Sequence, residues 1–379
     1  QEALLYIPAL KLALQLRGPA AGMGSLWSWW TLWAGTILLW ATPRAAEPSC
    51  QGVQCAAGQR CQVVDSKARC LAQSTAVCRA QGDPHYTTFD GRRYDMMGTC
   101  TYTMAELCGT DETLPAFSVE AKNEHRGSRL VSYVGLVTVR AYSHSVTLAR
   151  GEIGLARIDN QRSRLPASLS ENRLRVYQSW TGAVVELDFG LVVTYDWDSQ
   201  LTVSLPKRFQ NQVCGLCGNY NGDPADDFLT PDFEQAADPN EFASNWKLDD
   251  GDYLCDDGCH DNCPACTPGQ AQHYEGSPFC GMLVLPNGPF AACHKSLDPL
   301  PFLKDCVYDL CVTGGQRLSL CRSLNAYAQA CVGLGISVGD WRSPANCPMI
   351  CPANSRYELC APACPATCNS EAAPSNCSR

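Results

Sequence analysis

The densest chemistry of the chain lies in residues 214–228. There Cys214 and Cys217 stand at CxxC spacing and lead into Asn219, Asn221, Asp223, Asp226 and Asp227, with Gly222 and Pro224 between them. Two chemistries compete for this stretch. A redox pair needs one sulfur at a helix N-terminus, where the dipole lowers the thiol pKa. Here an extended segment ending near Pro206 comes before the cysteines and a Gly/Asn-rich loop follows them. Structural cysteines are therefore expected, with thiol–disulfide exchange through Cys214 and Cys217 as the alternative. For a cation loop, Asn219, Asn221 and Asp223 alternate like positions 1, 3 and 5 of a calcium loop, and Asp226 and Asp227 extend the oxygen set. Calcium takes roughly six to eight hard oxygens in flexible geometry. The loop is not an EF-hand, because its twelfth position is Thr230 instead of glutamate. An Asx-rich turn capped by its own side chains fits the same residues. The loop alone does not choose.

A second candidate is Gly82-Asp83-Pro84-His85. The carboxylate of Asp83 can attack its own carbonyl carbon, and the tertiary amide nitrogen of Pro84 leaves more readily once protonated. His85 is placed to help with that proton and titrates near the mildly acidic pH of late secretory compartments. A rigid turn before a strand is the plainer reading of the same four residues. His260 among Cys255, Cys259, Cys263 and Cys266 has the spacing of a zinc site, but disulfides are expected there. Spacing reveals no Ser-His-Asp set, phosphate loop or paired-carboxylate cleft, so no enzyme is expected.

The elements that must position these residues follow from the cysteine distribution. Of 25 cysteines, seven lie in residues 50–108, none in 109–213 and eighteen from 214 onward. With only six histidines to accompany them, metal binding cannot use so many thiols, which points to an oxidising compartment and disulfides. The odd count fits a chain cut within a cysteine-rich run, with a disulfide-linked oligomer as the alternative. The cysteine-free window carries short β-branched runs at 116–122, 136–142, 145–149, 173–177, 183–189, 191–195 and 200–205, separated by turn residues. A mainly β protein is predicted: an antiparallel β-sandwich stapled at its ends. Leu318, Cys321, Leu324, Ala328 and Cys331 lie at helical spacing, residues 305–311 read as a shorter helix, and Gly333 and Gly335 end the run.

Five regions result: an upstream or signal segment, 1–46; a partial cysteine-rich module, 47–77; the β domain, 78–250; a linker and small helical disulfide-rich domain, 251–350; and a cysteine-rich loop module, 351–379. The apolar run 26–41, which follows Met23, has the length of a signal-peptide core. A retained membrane anchor is the alternative, and it is the only route by which a membrane would be a partner. The net charge of −9 without a basic cluster argues against nucleic acid. The acidic run 249–261 reads as solvated loop. Asn376-Cys377-Ser378 is an N-glycosylation sequon.

Residues 78–91 (Cys-Arg-Ala-Gln-Gly-Asp-Pro-His-Tyr-Thr-Thr-Phe-Asp-Gly), followed downstream by 214–222 (Cys-Gly-Leu-Cys-Gly-Asn-Tyr-Asn-Gly), closely resemble the von Willebrand factor type D domain. Cys280, Cys293, Cys306, Cys311, Cys321, Cys331 and Cys347 are similar to the C8 module that follows such domains, and the chain from Cys351 resembles a truncated trypsin-inhibitor-like module. The resemblance implies a structural Ca2+ site made by Asp90, Asn219, Asn221, Asp226 and Asp227, with residue 223 giving its backbone carbonyl. It also implies self-cleavage between Asp83 and Pro84, with a disulfide from Cys78 to the downstream domain holding the pieces together. The function it implies is that of a secreted structural or adhesion glycoprotein of mucus or extracellular matrix. Its expected partners are extracellular glycoproteins, mucins or matrix proteins.

Overall fold

The computed structural model describes residues 50, 59–64, 67–72, 74–82, 84–126, 128–179, 182–258 and 265–349. The expectations for residues 1–46, Asp83, Cys259, His260, Cys263 and the module 351–379 with Asn376 lie outside the described residues.

Strands β1 (Gln59–Val64) and β2 (Lys67–Ala72) pair as an antiparallel hairpin. The chain then lays down β3 (Thr75–Gln81), β4 (His85–Thr87) and β5 (Arg93–Asp95) at the edge of a first sheet. It crosses to a second sheet for β6 (Thr101–Leu107), β7 (Phe117–Arg126), β8 (Ser128–Ala141), β9 (His144–Ala149), β10 (Leu155–Ile158) and β11 (Gln161–Arg164). It returns to the first sheet for β12 (Ala167–Leu169), β13 (Leu174–Gln178), β14 (Ala183–Leu187), β15 (Val192–Tyr195) and β16 (Leu201–Pro206). Two short strands, β17 (Val213–Cys214) and β18 (Lys247–Leu248), finish the second sheet by pairing with β6. Both sheets are antiparallel. The first has the order β12-β13-β14-β15-β16-β3-β4-β5 and the second β11-β10-β9-β8-β7-β6-β17.

The two sheets share one core. Met104, Val119, Val137, Val139 and Leu148 of one sheet and Ala80, Tyr86, Val176, Val185, Val193 and Val203 of the other belong to a single buried cluster. This is the predicted sandwich, and all seven expected runs are strands in it. Alternation sorts the faces as the pleat requires: on β13, Leu174 and Val176 are buried while Arg175 is exposed. The β8 strand runs eight residues earlier than the expected 136–142, because 128–135 keep pairing with β7 past a register shift at Lys122/Asn123. The shift interrupts the alternation on which the reading depended.

The acidic stretch after β18 is tied to the second sheet. Asp250 accepts from Thr101 Oγ1 at 2.6 Å and pairs with Lys122 Nζ at 2.9 Å; Asp252 pairs with the same nitrogen at 2.8 Å. Asp256 meets His125 at 3.1 Å, and a disulfide joins Cys255 to Cys100. Residues 249–258 are the expected solvated loop, largely exposed, and these contacts also make it a strap across the second sheet.

Beyond the strap lie α2 (Pro268–Tyr274), α3 (Leu300–Val312), α4 (Arg317–Gly333) and α5 (Arg342–Ala345); α1 (Pro239–Asn245) sits earlier, within the sandwich domain. Both expected helices are present, and α3 is longer than the predicted 305–311. The face of α4 departs from the expected one only at its N-terminal end. Leu320, Leu324, Tyr327, Ala328 and Cys331 are buried, while Leu318, in the first turn, is 57% exposed. The disulfides Cys266–Cys311, Cys280–Cys306, Cys293–Cys331 and Cys321–Cys347 knit this domain. Cys266, read as part of a zinc-like spacing, is therefore the eighth cysteine of the helical domain. No described helix is long and apolar enough to cross a membrane.

Candidate functional site

Residues 88–92 and 214–228 meet through backbone geometry. Phe89 N donates to Cys217 O at 2.9 Å, and Tyr94 Oη donates to Leu216 O at 2.6 Å. Beneath them Tyr94 and Phe242 pack edge-to-face and stacked, respectively, against Phe228. The cysteines act as staples. Cys217 is bonded to Cys78 and Cys214 to Cys108. Neither sulfur of the CxxC pairs with the other, so the thiol-exchange alternative has no dithiol to work with. Glu106 lies close to the Cys108 and Cys214 sulfurs, but a disulfide offers no thiolate to a metal.

The oxygen cluster forms on this frame. Asp90, on the turn between β4 and β5, receives the backbone N–H of Asn221 at 2.9 Å and of Gly222 at 2.8 Å. Asn219 and Asn221 direct their amides to the two oxygens of Asp226, at 3.0 and 2.7 Å. Their own Oδ1 atoms accept the N–H of Asn221 and Asp223. Asp227, 1% exposed, accepts from Thr88 Oγ1 at 2.6 Å and from Asn219 N at 3.3 Å. Gly218 makes room for it: a Cβ there, at a φ of +77°, would sit 2.0 Å from Asp227 Oδ1. The Asp223 side chain turns back to accept from Ala225 N at 2.9 Å.

Asp90, Asn219, Asn221, Asp223, Asp226 and Asp227 are thus brought together across some 130 residues. Among the described residues, the partners of the Asp90, Asp226 and Asp227 carboxylates are N–H and O–H groups, not basic side chains. Arg92, the nearby cation, lies over the Phe228 ring and donates to Ala225 O. Burial, then the charge of Asp90, raises the Asp227 pKa to about 7 against the opposing Thr88 hydrogen bond. Such a set of hard oxygens with surplus buried negative charge has the donor chemistry of a calcium site. Sequence reasoning missed Thr88, whose role depends on a partner 139 residues away.

His85 and Pro84 are buried at the start of β4. His85 Nδ1 lies 2.7 Å from Asp95 Oδ1, and Nε2 lies 2.9 Å from Asp309 Oδ1 on α3. Burial alone would lower its pKa. The charges of Asp305 and Asp309, with the hydrogen bonds of Asp309 and Asp95, hold it well above the ordinary histidine value. Both ring nitrogens of His85 are thus engaged by carboxylates. Asp305 and Asp309 sit four residues apart in the expected helix 305–311, so their common face was readable, but the surface it meets was not.

Further contacts join the helical domain to the sandwich. Arg322 pairs with Asp198 through both guanidinium and carboxylate arms at 2.6 and 2.9 Å, and Gln200 donates to Arg322 O. Tyr308 and Val312 pack on Met97, Val131 and Tyr133.

A disulfide-stapled sandwich with a helical eight-cysteine domain against one edge defines the class. Residues 78–234 match the von Willebrand factor type D domain and residues 279–348 the C8 domain. The chain thus carries a von Willebrand factor type D domain with a C8 domain behind it. It is 80% identical over 327 residues to the IgGFc-binding protein of Homo sapiens, covering 86% of this chain and 6% of that protein. It is 38% identical over 330 residues to Alpha-tectorin of Homo sapiens, covering 86% and 15%. Over 328 residues it is 37% identical to Zonadhesin of Sus scrofa, covering 86% and 13%. The chain therefore spans no more than 15% of the length of these relatives.

Proposed function

We propose that this chain is a secreted, non-enzymatic D–C8 segment of an extracellular structural or adhesion glycoprotein, stabilised by Ca2+ and self-cleaving between Asp83 and Pro84. The observation that carries the calcium reading is the convergence of Asp90 with the 219–227 loop around the buried, unneutralised Asp227. The ion would be held by Asp90, Asn219, Asn221, Asp226, Asp227 and the carbonyl of residue 223. When bound it supplies positive charge that ties the start of the first sheet to the loop after β17. Its role is structural. Thermal unfolding of the purified chain with calcium and with excess chelator tests this, and an unchanged melting temperature sinks it.

Cleavage balances within the dipeptide and one water. An Asp83 carboxylate oxygen bonds to its own carbonyl carbon, the bond to Pro84 nitrogen breaks as that nitrogen takes a proton, and water opens the cyclic anhydride. Support comes from the Gly-Asp-Pro-His sequence and from the Cys78–Cys217 bond, which would keep the new ends joined. Mass spectrometry after incubation at pH ~6 is expected to find a new N-terminus at Pro84, absent in Asp83→Ala. Intact chain in both removes the cleavage reading.

Extracellular glycoproteins, mucins or matrix proteins are the proposed partners. The names of the relatives, one of them an IgGFc-binding protein, support a surface-recognition role for the whole protein.

A further inference from the structure

A cleft of about 570 Å³ lies between the Cys108–Cys214 end of the second sheet and residues 229–233, which follow the oxygen cluster. That volume is within the roughly 300–1,000 Å³ in which proteins seat ligands. Two hydrogen-bond acceptors border it without a donor. Gln212 Oε1 is buried and has no hydrogen-bond partner. Glu106 is half-buried, and the contact its carboxylate makes is with the Cys214 sulfur at 3.9 Å, which in a disulfide has no proton to give. Burial, then the charge of Glu120, raises the Glu106 pKa, as for a carboxylate with no cation beside it. Asp227 also borders the cleft, but its oxygens are committed to Thr88 and Asn219. Among the described residues, no lysine, arginine or histidine lines the cleft.

The apolar part of the lining is aromatic. Trp246, 6% exposed, is fixed by its Nε1, which donates to Leu229 O at 3.0 Å. Phe233, by contrast, is 79% exposed, with a φ of +62° that bulky side chains rarely adopt. Its turn imposes this. Phe233 N donates to Thr230 O at 2.9 Å, Thr230 N to Glu234 O at 2.8 Å and Glu234 N to Thr230 Oγ1 at 3.2 Å. An aromatic ring is thus held in solvent at the mouth of the cleft. Unpaired acceptors, a carboxylate and aromatic faces together suit a flat, donor-rich cation. A guanidinium carries five N–H donors in a planar fork and stacks on rings, whereas an ammonium is a strongly hydrated point charge. We propose that this cleft is a docking site for an arginine side chain of an extracellular partner protein, with Glu106 and Gln212 accepting from the guanidinium and Phe233 and Trp246 flanking it. Only the partner's extracellular location rests on the function proposed above.

Saturation-transfer NMR on the purified chain, with calcium present throughout, tests this. The probes are a short capped peptide with one arginine between two leucines and the same peptide with citrulline, which keeps the shape and loses the charge. The arginine peptide is expected to receive saturation at its arginine methylenes and to titrate with a Kd of about 1 mM or tighter. The citrulline peptide is expected to bind roughly 10-fold more weakly. Glu106→Gln is expected to weaken the arginine peptide roughly 10-fold. Phe233→Asn, whose side chain tolerates the left-handed backbone, is expected to weaken it roughly 3-fold. Both variants are checked for folding by circular dichroism. Equal binding of the two peptides, no saturation of the arginine at ~10 mM peptide, or full affinity in a folded Glu106→Gln chain overturns the proposal. Should Glu106→Gln not fold, unchanged affinity in Phe233→Asn overturns it and lowered affinity supports it. None of these failures touches the calcium or cleavage readings, which have their own tests.

Discussion

Asp227 concentrates the energetics of the candidate cation site in one side chain. Its carboxyl is buried against Asp90, and its folded pKa is raised from 3.8 to about 7. A raised carboxyl pKa means the folded chain binds the proton that the unfolded chain has released. In chelator, the contribution of Asp227 is therefore most favourable below its unfolded pKa and is lost as pH rises toward 7. Calcium reverses this, since it requires the ionised form. Melting temperature against pH is thus expected to fall from about pH 4 to 7 in chelator, and the gain on adding calcium is expected to grow over the same window. Differential scanning calorimetry decides it, and parallel curves with and without calcium contradict it. At a free calcium concentration about 100-fold above Kd the ion contributes ~2.7 kcal/mol, or roughly 5–10 °C for a domain of this size. Asp90→Asn is expected to lose most of that gain, and Asp223→Asn little, because the Asp223 carboxylate is turned back to Ala225 N. Isothermal titration with calcium separates the two variants.

Elements set these residues at the right distance. Asp90 sits on the turn between two three-residue strands at a sheet edge, a place that short-range pairing cannot hold alone. The Cys78–Cys217 bond and the Phe89–Cys217 backbone contact hold it to the opposing loop. The strap after β18 works in a similar way. The Asp250 pKa is lowered to about 2, first by the Thr101 hydroxyl and then by Lys122. A lowered carboxyl pKa contributes stability above the unfolded value, and that contribution is lost as pH falls through about 4 toward 2. Thr101→Val is expected to weaken it and so to soften the acid edge of the unfolding curve; the pair with Lys122 is partly exposed, so Lys122→Ala should cost no more than ~1 kcal/mol. Acid titration followed by intrinsic fluorescence measures both, and an unmoved acid midpoint in Thr101→Val would show that the strap is idle.

At the scale of the whole molecule, two domains share polar anchors. The His85–Asp309, Arg93–Asp305 and Asp198–Arg322 pairs span the boundary, with a small apolar patch of Met97, Val131 and Tyr133 against Tyr308 and Val312. Every cysteine described from Cys78 to Cys347 is bonded within the chain. Covalent oligomers, if formed, would then use cysteines outside those described. Cleaved chain is expected to run as one band without reductant and as two with it, because Cys78 and Cys217 lie on opposite sides of Asp83–Pro84. Two bands without reductant would contradict that pairing.

The seven β runs, the helices around 305–311 and 318–331, and the oxygen-rich loop were legible because each is written in a local pattern: period-two alternation, helical spacing, or Asx and Gly punctuation. So was the class of the D domain, carried by two motifs at its ends. Thr88 beside Asp227, Cys266 with Cys311, and Asp309 against His85 were not legible, since each joins residues 45 to 224 positions apart. Local pattern specifies which side chains share a face, but only the packing of the two sheets and of C8 on the sheet edge decides what that face meets. Residues 214–228 show the division. Their sequence favours structural cysteines over a redox pair and leaves a metal loop and an Asx turn as equals. Tertiary structure takes both sulfurs into separate bonds and brings Asp90 to a loop whose own Asp227 is buried, because a β-sandwich must close its ends with chain from opposite sides of the domain.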